Sequence, residues 1–477
     1  MKTIELLSGS TKSLTPFVSG QRRLNVYFQV LPSQEKGHKV IIRGTPGYDL
    51  FVTLGDQPIK GFLVLDQILY AVAGSTLYSI TQSGTITNLG TLSTSTDYVA
   101  MAANGNQIII VTGANGYIYD VNANTLTVIT SSGFPQNTTS VCFMNGFFIA
   151  PKPGTGEFYI SDVYDGTTWD PLQFATAETI PDELIAVSAY HGILVLFGQN
   201  HLEFWQDTGG SPFPFSQLTG TAQDFGLAAQ ESIISFNNTI AFLGQNQEGH
   251  AQVLTLNGYA ATRVSDDDIE HILNGFDTIE DAVSLTYMID GHPMYQITFP
   301  SENRSFLYDA LTNIWSEVQS GVGLTGRHNG NLGVNFNNKT LISDVSTGNI
   351  YTISGNVYTE NGNLIKREVD TVHIEQQGNR FSIDELWLDF QLGAGLSSGQ
   401  GSNPLIMLEV SKDNGNTFLN QRTTSIGMLG QYSGPRAIFR RFGQSRDFVF
   451  RISMTDPVPF VLVRGSAVLR ASTESSK

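Results

Sequence analysis

The segment YVAMAANGNQIIIVTGANGYIYD, residues 98–120, is the most informative stretch of the sequence for the fold. An apolar run ends at Asn104-Gly105, a second apolar run follows, and a third, rich in tyrosine, comes after Gly113. Asn-Gly tolerates the positive φ angles of a type I′ turn, so the segment predicts a β-hairpin followed by a third antiparallel strand.

The same order of strand, turn and strand recurs along the chain. Its turn positions lie roughly 40–50 residues apart, which is the period of a four-stranded propeller blade. The copies cover residues 61–80, 98–120, 140–162, 184–206, 232–256, a stretch starting near 282, and a degenerate seventh over 324–353. Their turns fall at Gln67, Asn104, Asn145, His191, Asn237, Asp290 and Asn329. The sequence therefore predicts an all-β fold with a β-propeller of six or seven blades.

Composition changes after Asn363, where short alternating runs separated by Gly and Ser predict a β-sandwich. We divide the chain into an N-terminal arm and entry strand (residues 1–45), a β-propeller (46–360) and a C-terminal β-sandwich-like domain (361–477). Only residues 265–275 favour a helix, with Ser265 as the predicted N-cap and three aspartates in the first turn.

The negative charge of the chain is concentrated in the predicted propeller. Residues 1–360 hold 13 Lys or Arg and 32 Asp or Glu, whereas residues 361–477 hold 13 and 11. Between residues 61 and 262 the only Lys or Arg is Lys152. Such a surface repels DNA, which argues against binding through phosphate neutralisation. It suits a conduit that DNA passes without adhering.

No motif in the sequence indicates catalysis or a cofactor. The single cysteine, Cys142, lies in an apolar run and is expected in the core. Neither an apolar signal sequence at residues 1–14 nor an apolar run long enough for a membrane span is visible. We therefore expect no enzyme, no cofactor, no metal site and no membrane insertion by this chain.

Two pairs of carboxylates could suggest a glycosidase, because hydrolysis needs two such groups facing each other across a cleft. The pairs Asp162/Asp165 and Asp182/Glu183 both fall in turn-like segments, where capping of turns is the simpler explanation. Residues 411–418 (SKDNGNTF) match an Asp box, a structural turn also found in sialidases. The predicted propeller nevertheless has almost none of the arginines that a sialidase site needs.

Basic residues cluster near the C-terminus, where they are expected on solvated strand faces paired with local acids such as Asp447. A functional alternative is a docking surface for an acidic neighbour, including the propeller of an adjacent copy. Phosphate binding is a weaker alternative, because no aromatic groove is evident. The candidate docking residues are Arg436, Arg440, Arg441, Arg446 and Arg451.

Several segments together resemble the tail-hub or "packaged DNA stabilisation" family (the tail accessory or nozzle type) of podovirus-type phages. They are RRLNVYFQVLP (22–32), RGTPGYDLF (43–51), residues 158–215 with the DGTTW turn and the EFWQ strand, SDDDIEHIL (265–273) and GQYSGPRAIFRRFGQSRDFVFRI (430–452). Residue 29 is a glutamine, whereas many members of this family are expected to have an acidic residue at that position. In the EFWQ strand, we interpret Glu203 and Trp205 as blade packing.

The resemblance implies a structural virion protein assembled in the bacterial cytoplasm. Such proteins form a ring, a hexamer being expected, below the portal and head-to-tail adaptor of a short phage tail. They retain packaged DNA, form the channel for its ejection, and contact other tail proteins such as a needle or tailspike. A propeller-type carbohydrate-active tail protein and a bacterial propeller adaptor unrelated to phage remain as alternatives.

Overall fold

In the computed structural model, residues 22–30, 40–177, 182–433 and 436–471 are described. Residues 1–21, 31–39, 178–181, 434–435 and 472–477 lie outside the described residues, and so do the prediction made for residues 1–14 and part of the predicted N-terminal arm. Helices are confined to Asp267–Leu273 and the 3₁₀ turn Gln230–Ser232 within the described ranges. None of the described helices is long and apolar enough to cross a membrane.

Seven antiparallel sheets form the blades of the propeller, so the structure selects seven blades from the two predicted numbers. Blade 1 contains the strands Ile59–Leu65, Ile68–Ala73, Thr76–Ile80 and Ile86–Thr91. Blade 2 contains Ala100–Ala103, Gln107–Val111, Gly116–Asp120 and Thr125–Val128. Blade 3 contains Cys142–Met144, Phe147–Pro151, Glu157–Asp162 and Asp165–Thr176. Blade 4 contains Leu184–Tyr190, Ile193–Gly198, Leu202–Asp207 and Phe215–Gln217. Blade 5 contains Gly226–Leu227, Ile234–Phe236, Thr239–Gln245, Ala251–Asn257 and Ala260–Arg263. Blade 6 contains Val283–Ile289, His292–Phe299, Arg304–Asp309 and Ile314–Glu317.

Blade 7 closes the ring with a strand from the other end of the domain. Its strands Gly330–Phe336, Lys339–Asp344 and Asn349–Ser354 are joined by Gly47–Thr53. Short strands Thr359–Glu360 and Asn363–Leu364 extend the same sheet. Because this sheet contains both ends of the propeller, closure depends on backbone hydrogen bonds between segments about 300 residues apart.

Apolar side chains fill the spaces between neighbouring blades. Seven buried clusters of the described residues each join two adjacent blades, and an eighth forms the core of the sandwich. Trp169, from the predicted DGTTW turn, is buried between blades 2 and 3, and its Nε1 donates to the Gly166 carbonyl at 2.8 Å. Each blade is therefore stabilised mainly by burial against its neighbours.

Local turn chemistry explains most hairpins, with two corrections. Asn104-Gly105 does not form the predicted type I′ turn, because Gly105 has a positive φ angle of 98° but Asn104 does not; the first strand ends at Ala103 and the next begins at Gln107. Asn145-Gly146 and Asp290-Gly291 have positive φ angles in the predicted turns. Asn329-Gly330 is not a hairpin turn, because Gly330 begins a strand. The hairpin of blade 7 turns instead at Asn337-Asn338, with φ angles of 49° and 58°.

The helix lies where the sequence placed it, but its N-cap is one residue later than predicted. Asp266 has extended backbone angles, and its side chain accepts a hydrogen bond from the Ile269 amide at 2.8 Å. The Ser265 hydroxyl instead accepts from the Val253 amide and donates to Glu270. The acidic first turn is thus explained by capping.

The sandwich contains strands from both ends of the chain. One sheet consists of Arg23–Leu24, Arg367–Asp370, Asp447–Met454, Leu405–Ser411 and Leu419–Ser425, with Ile374–Glu375 at its side. The other consists of Val26–Val30, Val40–Gly44, Val461–Ala471, Phe381–Phe390, Ala437–Arg440 and Gln444–Ser445. The described residues 22–30 and 40–44 therefore contribute strands to both sheets of the sandwich.

The first of these sheets continues into the propeller. Leu24 pairs in parallel with Glu317 in the outer strand of blade 6, and antiparallel with Glu368. Blade 6 and this half of the sandwich consequently form a single ten-stranded sheet.

Candidate functional site: the basic sandwich and the acidic propeller

The five predicted docking arginines do not form one patch. Arg436 directly precedes the strand Ala437–Arg440, Arg440 is its last residue, and both side chains are exposed. Arg436 pairs with Asp389 at 2.6 Å, and Arg440 pairs with Glu385 at 2.7 Å. Their charges are therefore largely compensated within the domain, and exposed pairs of this kind contribute little to stability.

Arg451 lies in the other sheet and has a structural environment. Its guanidinium makes two hydrogen bonds of 2.8 Å to the carboxylate of Asp370, and its Nε lies 3.3 Å from Glu368. Its guanidinium carbon also lies 3.8 Å from the centre of the Phe418 ring. Burial alone would lower the pKa of Arg451, but the bonds to Asp370 and the charge of Glu368 raise it overall.

Arg441 and Arg446 lie at one end of the sandwich, together with Lys412 and Arg422, which the sequence analysis did not include. We call these four residues and the turns that carry them the sandwich tip. Arg446 donates to the Gly378 carbonyl at 2.7 Å, and Arg422 donates to the Arg441 carbonyl at 3.1 Å. Within the described chain, none of the four forms a salt bridge with a carboxylate.

Aromatic rings support the cations of the sandwich tip. The Arg422 guanidinium carbon lies 5.0 Å from the centre of the Phe442 ring, and Lys412 Nζ lies 5.6 Å from that of Phe448. Carbonyl oxygens and ring faces orient a cation without neutralising it. The sandwich tip is therefore a net positive surface, carried by ordered turns and by the strand Leu419–Ser425.

The predicted Asp box forms one of these turns. Asp413 accepts hydrogen bonds from the Thr417 hydroxyl and amide at 2.6 and 2.9 Å and from the Ser411 hydroxyl at 2.7 Å. These bonds, led by that of the Thr417 hydroxyl, hold the pKa of the Asp413 carboxyl at about 2. The Asp box is thus a capped turn, as predicted, and its carboxylate is already occupied by hydrogen-bond donors.

A second charged region joins the propeller to the sandwich. Arg22 bridges Glu317 of blade 6, at 3.1 Å, and Glu368 of the sandwich, at 3.3 Å. Lys366 contacts the other oxygen of Glu368 at 2.6 Å. Although burial opposes ionisation, the positive charges of Arg451, Lys366 and Arg22 lower the pKa of Glu368 overall.

The carboxylate pairs noted in the sequence serve local structure. Asp165 caps its turn through the Thr167 amide and hydroxyl, at 2.9 and 2.6 Å. Asp182 accepts from the Asn200 amide at 2.6 Å, and Glu183 accepts from the Gly154 amide at 2.8 Å. These contacts explain Asp165, Asp182 and Glu183 as residues of local structure, and Asp162 ends the strand Glu157–Asp162 opposite Asp165.

The predicted packing roles of Glu203 and Trp205 are also visible. Glu203 is buried and accepts a 3.1 Å hydrogen bond from Trp205 Nε1.

Cys142 is a buried free thiol, and burial raises its pKa to about 12. In the described ranges, no three His, Cys, Asp or Glu side chains are grouped so as to hold a metal ion.

Acidic residues line a cavity of about 360 Å³ formed by loops that lead into the inner strands of several blades. Asp97, Glu231, Glu280 and Asp281 contribute to its wall. Burial raises the pKa of Glu231 to about 7, although a hydrogen bond from Gln230 opposes the shift. Residues 61–262, which span blades 1 to 5, hold one Lys and 15 Asp or Glu.

Comparisons with known proteins cover both domains. Residues 3–358 match the family model "Bacteriophage P22 Gp10, beta-propeller", and residues 366–470 match "Bacteriophage P22 Gp10, beta-sandwich". The chain is 24% identical over 258 residues to the tail hub protein gp10 of Salmonella phage P22, across 51% of this chain and 53% of that protein. The alignment thus spans about half the length of this curated relative.

Some solved structures are similar at lower identity. The computationally designed Ika8 protein is 11% identical, with a TM-score of 0.40, and covers 64% of this chain and 99% of its own. The Pan2 WD40 domain of Neurospora crassa is 9% identical, with a TM-score of 0.42, and covers 65% of this chain and 96% of its own.

Proposed function

Because this chain belongs to the family of the bacteriophage P22 Gp10 propeller and sandwich proteins, we propose that it is a structural virion protein of a short phage tail. Copies of the chain form a ring, a hexamer, beneath the portal and the head-to-tail adaptor. The ring retains packaged DNA and forms the channel for its ejection. The matches to both domains in chain order are the observation that carries this proposal.

The charge distribution supports a role beside DNA without adhesion to it. Residues 61–262 hold one Lys and 15 Asp or Glu, and the acids among them that reach the surface repel the phosphate backbone at short range. Retention of DNA by such a ring is therefore mechanical, through the width of the channel. A protein that held DNA through its phosphates would need the opposite charge on this face.

The basic residues of the sandwich suit contacts with proteins. Of the five candidate residues, we assign Arg441 and Arg446, whose exposed charges have no carboxylate partner in the described part of the chain, to a docking region. Arg436, Arg440 and Arg451 pair with acids of the sandwich itself. The partners are other copies of this chain, the adaptor and portal assembly, and further tail proteins such as a needle or tailspike. The chain acts in the virion after assembly in the bacterial cytoplasm, and it acts without catalysis.

Imaging of intact virions with an antibody against this chain tests the proposal. We expect label in a ring directly beneath the portal. Label confined to peripheral spikes, or absent from particles, would overturn the hub function. Incubation of the purified chain with host surface polysaccharide provides a second test, because turnover of saccharide would favour a carbohydrate-active tail protein instead.

A further inference from the structure

A turn of blade 3 has an unusual composition for an exposed surface. Residues 162–165 read Asp-Val-Tyr-Asp, and the side chains of Val163 and Tyr164 are 61% and 60% exposed. Two large apolar side chains thus project side by side into solvent between two carboxylates. Exposed apolar groups with a charged rim are typical of protein-binding surfaces.

The backbone holds this turn in an uncommon conformation. Tyr164 has a φ angle of 56°, which is rare for a bulky residue. Its amide donates to the Gly146 carbonyl at 2.6 Å, and its carbonyl accepts from the Asn104 side chain at 3.1 Å. Neighbouring hairpins of blades 2 and 3 therefore fix the backbone of Tyr164, and its ring centre lies 5.9 Å from that of Phe143. Fixed aromatic side chains lose little conformational entropy on binding.

The sandwich tip offers a complementary surface. It carries the uncompensated cations described above, and Leu419, beside the Asp box, is 62% exposed. Arg441 has a φ angle of 66°, so a second exposed side chain is also presented from a left-handed backbone position. The sandwich tip thus offers one exposed apolar side chain and several cations, and the turn offers two exposed side chains flanked by carboxylates, so the two surfaces are complementary in charge.

We propose that the sandwich tip binds the Asp162–Asp165 turn of an adjacent copy of this chain. In this contact Asp162 and Asp165 face Arg441 and Arg446, and Tyr164 packs near Leu419. The two surfaces differ, so the contact is heterologous and repeats from copy to copy until a ring closes. The inference rests on the ring of the proposed function and assigns its contact residues.

Disulfide trapping in virions tests the contact. Particles carrying Tyr164→Cys together with Arg441→Cys should, after mild oxidation, give covalent multimers of this chain on non-reducing gels. The matched control combines Leu311→Cys on blade 6, which is 61% exposed, with Arg441→Cys and should remain monomeric. The buried Cys142 is common to both variants and does not account for a difference.

Charge reversal provides an independent readout. Arg441→Asp with Arg446→Asp should lower incorporation of the chain into particles at least about tenfold, and adding Asp162→Arg, which leaves the turn cap of Asp165 intact, should restore part of it. Antibody label in a ring without multimers or rescue would overturn this contact but leave the proposed function intact. Absence of label would overturn both. Salt-sensitive binding of duplex DNA that is lost in the Arg441→Asp, Arg446→Asp variant would assign the sandwich tip to phosphate and would also overturn the contact.

Discussion

The arginines of the C-terminal domain should differ sharply in their contribution to stability, and Arg451 gives the strongest prediction. Its side chain is 21% exposed, whereas the side chains of its partners Asp370 and Glu368 are each 1% exposed. Removing one partner of a buried ion pair leaves an uncompensated charge and costs about 3–5 kcal/mol. We therefore expect Arg451→Met to lower the free energy of unfolding by this amount, as measured by urea titration followed by circular dichroism.

The matched control is Arg436→Met, which removes an exposed arginine from the same domain. Asp389 keeps Arg464 as a partner at 2.9 Å, so we expect a loss of about 1 kcal/mol or less. Adding Asp370→Asn to Arg451→Met should recover at least about 1 kcal/mol, because it removes the buried charge left behind. Equal losses for the two single variants, or no recovery in the double variant, would refute the reasoning.

The pH dependence of this loss has a defined sign. Burial raises the pKa of Asp370 above its ordinary value, and Arg451 opposes that shift. Without Arg451 this opposition is lost, so the pKa of Asp370 in the folded variant should lie further above that of the unfolded chain. A carboxyl whose pKa is raised on folding contributes less to stability as pH rises, so the loss in Arg451→Met should increase from pH 5 to pH 8.

Three further predictions concern other buried positions. Burial raises the pKa of Glu360 to about 7, so the melting temperature should fall as pH rises from about 4.5 to 7. Glu360→Gln should reduce this fall, and a variant with the same pH profile as the original chain would contradict the prediction. Gly47→Ala should destabilise the closing strand by about 1–3 kcal/mol in urea titrations, because its Cβ would lie 2.1 Å from the Thr359 carbonyl oxygen. Gly326→Ala, which meets open space, is its control and should have little effect. Cys142 should react with a thiol reagent only after unfolding, and rapid labelling of the native chain would contradict its burial.

Features with a local cause were the ones that the sequence predicted well. The turns at Asn145-Gly146 and Asp290-Gly291 depend on residues that tolerate positive φ, and they form as expected. The same rule failed at Asn329-Gly330, because the adjacent strand pairing overrides the dipeptide and the chain turns at Asn337-Asn338 instead. A local signal therefore identified the repeat but did not fix the register of its weakest copy.

Contacts between distant segments could not be read from the sequence. The closing strand Gly47–Thr53 pairs with Asn349–Ser354, and Arg22 pairs with Glu317 and Glu368. No periodicity connects such positions. Proximity in sequence was also misleading for the arginines, since Arg440 and Arg451 lie in different sheets of the sandwich.

The connection between the domains constrains how a ring of such chains could open. Backbone pairing runs from blade 6 through Arg23–Leu24 into Arg367–Asp370, and the Asn25 side chain donates to the carbonyls of Gln319 and Lys366 at 2.9 and 2.8 Å. Bending at this boundary would break these hydrogen bonds and expose the buried carboxylate of Glu368. The propeller and sandwich should therefore move together, so a channel formed by several copies would widen by rotation of whole subunits about their contacts.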